Sequence, residues 1–346
     1  MKYDKVELTA LGYELAPVVV TSEELEGRLA PMLRKLHVAD GQLEHLTGIL
    51  ERRWWTPDTP VSQGATAAAK KVLATSGVPI AEIGSLIYAG VCRELYEPAT
   101  ACRVADGLGV NNSTAVYDLS NACLGVLNGI LDVANRIELG QIRAGLVVSC
   151  ESAREINDVM IERMLQMEDI KLFTLALATL TGGSGAVAVL LTDGSFNDNQ
   201  GHRLLGAATR VAPEHHALCR WGIEKENGVH RPFMSTDSAA VLKHGVKLGK
   251  ETWDSFLTKM DWSVDDIDRV ICHQVGSGHQ DSILKTFSLT PDKDFTTYEH
   301  LGNMGTVSLP VTAAMADERG ILKRGDNVSF LGIGSGLNCM MLGLKW

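Results

Sequence analysis

Ala144-Gly-Leu-Val-Val-Ser149 runs without a charged side chain, is too short for a typical helix, and is flanked by polar residues. A strand of that kind has no wet face, so it must lie in a sheet covered by helices on both sides. That requirement narrows the fold to the α/β class. Strand signals recur at residues 5–16, 86–91, 115–119, 186–191, 203–209, 269–272, 327–333 and 339–344. Helical patterns fall at 21–36, 62–76, 100–108, 154–180 and 235–259. The alternation predicts mostly parallel sheets in two halves.

A chain of 346 residues exceeds what one core usually organises. The most loop-like run, Asp193-Gly-Ser-Phe-Asn-Asp-Asn-Gln-Gly201, predicts the division into residues 1–195 and 196–346. A net charge of −10 argues against nucleic acid or an anionic membrane as main partner. Seven scattered cysteines lack a C-x-x-C pair, which suggests reduced thiols in a cytoplasm rather than disulfides or a zinc cage. Met1-Lys-Tyr-Asp-Lys-Val-Glu7 lacks the apolar segment of a secretory signal. Residues 172–192 carry no charge over a length that could span a bilayer, but Thr181-Gly-Gly-Ser-Gly185 divides them, so a helix and a strand joined by a turn are expected instead.

The candidate reactive atom lies in Val116 to Asn135. A short strand is followed by Ser120-Asn-Ala-Cys123 and then by a helix whose polar residues are confined to Asn128, Asp132 and Asn135. That places the Cys123 thiol at a helix N-terminus, where free N–H groups and the dipole favour an anion and hence a nucleophile. The alternative is a small buried side chain. Elsewhere, Arg52, Arg53, Trp54 and Trp55 sit together in a loop at residues 46–55 and suit either a nucleotide clamp or a salt-bridged corner. Met160, Met164 and Met167 form a stripe suited to core packing or to a fatty-chain pocket. Lys243, Lys247 and Lys250 share one helical face, and an irregular insertion up to Phe233 holds His215, His216 and His230 without metal-ligand spacing.

Val270-Ile-Cys-His-Gln-Val275 ends an apolar strand in His273, and Leu301-Gly-Asn-Met-Gly305 offers Asn303 between glycines. Cys, His and Asn form a complete set for thioester chemistry: a thiolate that holds an acyl group, and two donors for the oxygen of a second thioester. Together with Thr47-Gly-Ile-Leu-Glu-Arg-Arg53, Asn121-Ala-Cys123, Gly302-Asn303 and the closing Gly332-Ile-Gly-Ser-Gly-Leu-Asn338, this set resembles the thiolase superfamily, specifically the β-ketoacyl synthase III-like condensing enzymes. The closing glycines lead into a strand near the last residue, which does not suit a dinucleotide-binding turn.

The resemblance implies a five-layered αβαβα fold of two duplicated halves, working as a homodimer on coenzyme A thioesters with no resident cofactor or metal. It implies Cys123 as the acylated nucleophile, His273 and Asn303 as donors to the second thioester, and an oxyanion hole from the backbone of Cys123 and Ser335. Tyr96-Glu97-Pro98 is most similar to the OleA-type enzymes, which join two acyl thioesters without decarboxylation, and in them the glutamate matching Glu97 reaches into the partner's site as the base. Decarboxylative condensation with a malonyl thioester, and acyl transfer to an alcohol or amine, stand as alternatives. The arginine that follows the histidine in the enzymes that dock acyl carrier protein is absent from His273-Gln-Val-Gly-Ser-Gly278, which favours acyl-CoA over carrier protein unless the Lys243 and Lys247 face substitutes. Arg52, Arg53 and Trp54 are the expected adenine and phosphate contacts.

Overall fold

The computed structural model describes residues 1–167, 169–196, 200–226 and 228–346. In chain order the first elements are β1 (Glu7–Leu15), β2 (Val18–Thr21), α1 (Ser22–Lys35), α2 (Gln42–Thr47), β3 (Glu51–Trp54), α3 (Val61–Ser76), β4 (Ile83–Ala89) and α4 (Thr100–Leu108). Next come β5 (Ala115–Leu119), α5 (Gly125–Glu138), β6 (Ala144–Glu151), α6 (Arg154–Met167), α7 (Ile170–Leu180) and β7 (Gly185–Thr192). The remainder is β8 (His202–Val211), β9 (Cys219–Glu226), β10 (Val229–Thr236), α8 (Ser238–Met260), β11 (Arg269–Cys272), α9 (Ser277–Phe287), α10 (Tyr298–Leu301), α11 (Ser308–Glu318), β12 (Asn327–Gly334) and β13 (Asn338–Lys345).

The large sheet has the order β11-β12-β13-β8-β1-β7-β6-β4-β5. β4 pairs in parallel with β5 and β6, and β11 with β12, whereas β6–β7, β1–β7, β13–β8 and β12–β13 are antiparallel. The expectation of mostly parallel sheets is therefore corrected. An all-apolar strand reports helices on both faces and says nothing about the direction of its neighbour: β6 and β7 are buried along their whole lengths and run in opposite directions.

Period-two alternation sorts these strands between two cores. Val147, Val187, Val189 and Leu191 face one cluster that also holds Leu127, Ile130 and Val133 of α5, Val311 and Ala313 of α11, and Phe330 and Leu342 of the strands beyond β8. Leu146, Val148, Ala186 and Ala188 face the other way, onto Ala65, Ala68 and Val104 of α3 and α4. On the far side, Leu331, Cys339 and Met341 meet Leu248, Phe256 and Leu284 of α8 and α9. The layers are thus helix, sheet, helix pair, sheet, helix. Among the described residues the β1–β8 ladder is short, Glu7↔Arg203 and Leu8↔His202, and the strands on either side of that seam form two leaves around α5 and α11. α5 fits between them because Gly129 lies against Val147, where a Cβ would come within 2.6 Å of a valine methyl.

The leaves repeat one plan. Each inner helix is preceded by one 3₁₀ turn, Ala122–Leu124 before α5 and Gly305–Val307 before α11. The parallel pairing of β4 with β5 has a short counterpart in the bridge between Val270 and Asp294.

Several local expectations change. Residues 46–55 are not a loop: they contain the end of α2 and the strand β3, which pairs with β2. The insertion before α8 is a hairpin, β9 with β10, rather than irregular chain. Residues 172–192 divide into α7 and β7, and among the described residues no helix is long and apolar enough to cross a membrane. Residues 197–199 of the polar run between β7 and β8 lie outside the described residues.

Candidate active site

Cys123 lies in the 3₁₀ turn between β5 and α5, and the residue before it, Ala122, takes a left-handed φ of 44°. A non-glycine residue there costs on the order of 1 kcal/mol, and what holds it is side-chain bonding around the turn. The Asn121 amide donates to Asn128 on α5 and accepts from Asn338 Nδ2 at 3.1 Å, and Asn338 Nδ2 also lies 3.0 Å from the Ser335 carbonyl oxygen. The cysteine turn and the closing Gly-Ser-Gly turn are thereby one unit. Gly334 passes so close that a Cβ on it would lie 3.5 Å from the backbone nitrogen of Cys123.

His273 continues β11, its N–H donating to the Leu331 carbonyl at 2.9 Å. Gln274 fixes the next segment: its Oε1 accepts from the N–H groups of Thr297 at 2.9 Å and Tyr298 at 3.2 Å. That leads the chain back to Asn303, whose N–H donates to the Thr181 carbonyl at 2.9 Å. Asn303 Oδ1 accepts from Gly305 N–H at 3.0 Å, which leaves the NH₂ as the group offered to the cavity. Gly302 has a φ of 64°, and a Cβ there would meet the Thr181 carbonyl oxygen at 2.4 Å, so this turn needs glycine. Beyond it, Thr306 Oγ1 accepts from Val126 N–H at 2.7 Å, which caps the first turn of α5 from the other leaf.

The structure brings Cys123, His273, Asn303 and Ser335 to the wall of one cavity of about 490 Å³. Apolar side chains including Ile156, Met234, Val241 and Ile333 line much of the rest. Burial decides the electrostatics. It pushes the Cys123 thiol up to about 12, with Cys219 and Glu151 adding to the shift and the residue's own N–H opposing it. Loss of water thus works against the acidity that a helix N-terminus leads one to expect of this thiol. Burial also lowers His273 to about 4, assisted by His279. Both groups rest neutral, and among the described residues His273 Nδ1 has no hydrogen-bond partner.

Four ionisable side chains at the cavity wall go beyond what the sequence suggests: Glu151, Cys219, Arg220 and His279. Glu151 had a signal, since it ends the apolar run of β6 as His273 ends that of β11. Cys219 and His279 had none.

The expected coenzyme A contacts divide. Arg52 is fully buried, donating to the Val20 carbonyl at 3.3 Å and to Ser22 Oγ at 3.0 Å, and Trp54 Nε1 is used by the Gly182 carbonyl at 3.0 Å. Neither lines the cavity, so both are corrected to interior residues: their side chains turn inward from β3, backbone carbonyls and a hydroxyl take the Trp54 indole N–H and the two terminal nitrogens of Arg52, and Arg52 Nε has no hydrogen-bond partner among the described residues. Arg53 is half-buried beside them, its carbonyl accepting from Ser184 N–H. Lys243, Lys247 and Lys250 are exposed on α8, the helix whose Ser238 and Val241 reach the cavity wall. Arg220 of β9, which the sequence reading passed over, lines the cavity itself. Glu97 is exposed on the segment after β4 and does not line the cavity of its own chain. Met160 and Met164 pack in a core cluster and Met167 is half exposed, so the stripe is chiefly packing. Among the described residues no cluster of three or more His, Cys, Asp or Glu is placed to hold a metal.

Residues 257–346 match the family described as 3-oxoacyl-[acyl-carrier-protein] synthase III, C terminal. Over the full length of both chains, the sequence is 58% identical to an acyl-CoA:acyl-CoA alkyltransferase of Shewanella oneidensis. The chain belongs to the OleA family of the thiolase superfamily. Its likeness to the OleA-family protein of Xanthomonas campestris is 35% over both full lengths, and the cerulenin-bound crystal structure of that OleA superposes with a TM-score of 0.94, covering 100% of this chain and 98% of that one. A cysteine-to-serine variant of the same OleA, solved with lauric acid and lauroyl-CoA, gives a TM-score of 0.93 at 34% identity, covering 99% of this chain and 100% of that one. A β-ketoacyl-[acyl-carrier-protein] synthase III of Natranaerobius thermophilus is 27% identical over 98% of this chain and 99% of its own length. The resemblance read from the motifs, and the layered fold it implied, therefore hold for this OleA-family chain.

Proposed function

We propose that this chain joins two acyl-CoA molecules by a non-decarboxylative Claisen condensation, as a homodimer in the reducing cytoplasm, with all seven of its cysteines free. The observation that carries the reading is the convergence of a thiol, an imidazole and a carboxamide on one largely apolar cavity.

In the first half, the Cys123 sulfur attacks the carbonyl carbon of one acyl-CoA. With the thiol near 12 and the imidazole near 4, a preformed ion pair is out of reach, so the proton leaves sulfur as the carbon–sulfur bond forms, and departs on the coenzyme A thiol. In the second half, the carbonyl oxygen of another acyl-CoA accepts hydrogen bonds from neutral His273 and from the Asn303 NH₂. The partner subunit's Glu97 removes the α-proton, and the carbanion attacks the acyl-cysteine. The tetrahedral oxyanion is held by backbone N–H groups of Cys123 and the turn at Ser335, and its collapse releases a β-ketoacyl-CoA and the Cys123 thiolate, which recovers the proton. Arg220, Lys243 and Lys247 are the cations available to the coenzyme A phosphates. No resident cofactor is required.

An isotopically labelled acyl-CoA should leave an adduct on Cys123 that Cys123→Ala abolishes, and product mass should equal two acyl chains with no carbon lost and no malonyl-CoA supplied. A product that forms only with malonyl-CoA would replace this reading with decarboxylative condensation. Co-expressed Cys123→Ala and Glu97→Gln subunits should form heterodimers with one working site, whereas a glutamate acting within its own subunit would leave them inactive. A hydrolase using Cys123 and His273 is disfavoured, because no group orients His273 Nδ1.

A further inference from the structure

Glu151 is the last residue of β6 and is 4% exposed, yet its carboxylate lines the cavity beside Cys123. Each oxygen accepts one backbone N–H: Oε1 from Val91 at 2.9 Å and Oε2 from Cys92 at 3.0 Å. Those two residues begin the segment that leaves β4 and carries Glu97. The segment has two feet. The first is held by Glu151, by Tyr88 OH donating to the Cys92 carbonyl at 2.7 Å, and by Glu94, which accepts from Ser62 N–H at 2.8 Å. The second is held by Asp118, which accepts from the N–H groups of Thr100 at 2.9 Å and Ala101 at 2.8 Å. Between them the tip stands free of the chain, with Tyr96 95% exposed and Glu97 exposed beside it. On its other side Glu151 abuts the turn after Asn303, where a Cβ on Gly305 would lie 3.4 Å from Glu151 Cγ.

A carboxylate fits this place because it offers two acceptors to two donors, whereas a glutamine would turn an NH₂ toward one of the N–H groups. Its charge does nothing for the nucleophile, since a buried anion beside the thiol opposes thiolate formation. We propose that Glu151 is a positioning residue for the deprotonation step: its carboxylate fixes the foot of the segment that delivers Glu97 to the partner subunit's cavity, and links that foot to the Asn303 turn. The inference rests on the reading of Glu97 as the base.

The test uses the full-length enzyme with Glu151→Gln, Glu97→Gln and the double variant. Three quantities are read with a long-chain acyl-CoA: acyl-Cys123 formation by intact mass, deuterium wash-in at the α-carbon from D₂O, and condensed product. In Glu151→Gln, wash-in and condensation should fall at least tenfold relative to acylation, and alkylation of Cys123 should shift to lower pH because an opposing charge is gone. The double variant should be no slower than Glu97→Gln alone, since both changes act on one step. A loss of acylation equal to the loss of condensation, or effects that multiply in the double variant, would overturn the proposal. If Glu151→Gln does not fold, Glu151→Asp keeps the charge but is one methylene short, and the same ratios decide. Wild-type condensation by Glu97→Gln would defeat the reading of Glu97 as base, whereas an inactive Glu97→Gln beside a wild-type Glu151→Gln would defeat this inference alone.

Discussion

Replacing Thr306 by valine exchanges a hydroxyl for a methyl at nearly constant volume, at a site 2% exposed. The hydroxyl is the acceptor for Val126 N–H at 2.7 Å, and Val126 is itself fully buried, so water cannot take its place. An orphaned buried amide costs about 1–3 kcal/mol, and losses of helix caps fall in the same range. Unfolding entropy of about 2.1 cal/mol/K per residue gives roughly 0.7 kcal/mol/K for a chain of this length, so the expected fall in Tm is only about 1–4 °C. Hydrogen exchange is the sharper assay. The amide of Val126 should exchange at least tenfold faster in Thr306→Val, while Thr306→Ser, which keeps the oxygen, should stay close to wild type there. Because Cys123 sits in the turn just before, acylation should slow in the valine variant and recover in the serine one. Unchanged exchange and unchanged acylation in Thr306→Val would mean that this bond neither caps α5 nor holds the nucleophile.

Alkylation of Cys123 in the free enzyme should rise about tenfold per pH unit between pH 7 and 10, as expected for a thiol near 12, and a plateau below pH 9 would contradict it. His273 binds its proton near 4 when folded and near 6.5 when unfolded, so between those values the unfolded chain holds more protons; stability contributed by this residue is present above pH 6.5 and is lost as pH falls toward 4, by on the order of 3 kcal/mol, and His273→Gln should flatten that limb in acid titrations of unfolding. Gly334→Ala would place a methyl 3.2 Å from Leu124 Cγ, so the cysteine turn must give by a few tenths of an ångström, and acylation should slow with secondary structure intact by circular dichroism; an unchanged acylation rate would refute the coupling of the two turns. Arg220→Ala, and Lys243→Ala with Lys247→Ala, should raise KM for acyl-CoA several-fold in low salt and little in high salt.

Elements whose signals were local were legible in the sequence. Residues 100–108, 115–119 and 269–272 were bounded by turn chemistry on both sides and coincide with α4, β5 and β11. The cysteine, histidine and asparagine turns were legible because each ends a strand or opens a helix. What the sequence did not reveal depends on distant neighbours. Strand direction is set by hydrogen-bond partners, not by which faces are dry. The β9–β10 hairpin does alternate Cys219, Trp221 and Ile223 with Arg220, Gly222 and Glu224, but the run is short and Trp221 and Ile223 stay exposed, so no core in the chain marks it as a strand. Arg52 resembles a ligand contact because nothing in a sequence marks an arginine that its own fold buries and binds through its terminal nitrogens. The drying of Cys123 is hidden in the same way: its helix lies next in the chain, but the walls that exclude water from it come from both leaves.

The matching turns ahead of α5 and α11 place Cys123 and Thr306 in corresponding positions, each the middle residue of its turn. In one leaf that position holds the thiol at the cavity wall; in the other it holds a hydroxyl whose oxygen braces the first turn of α5. A change to the brace in one leaf should therefore be felt at the sulfur in the other.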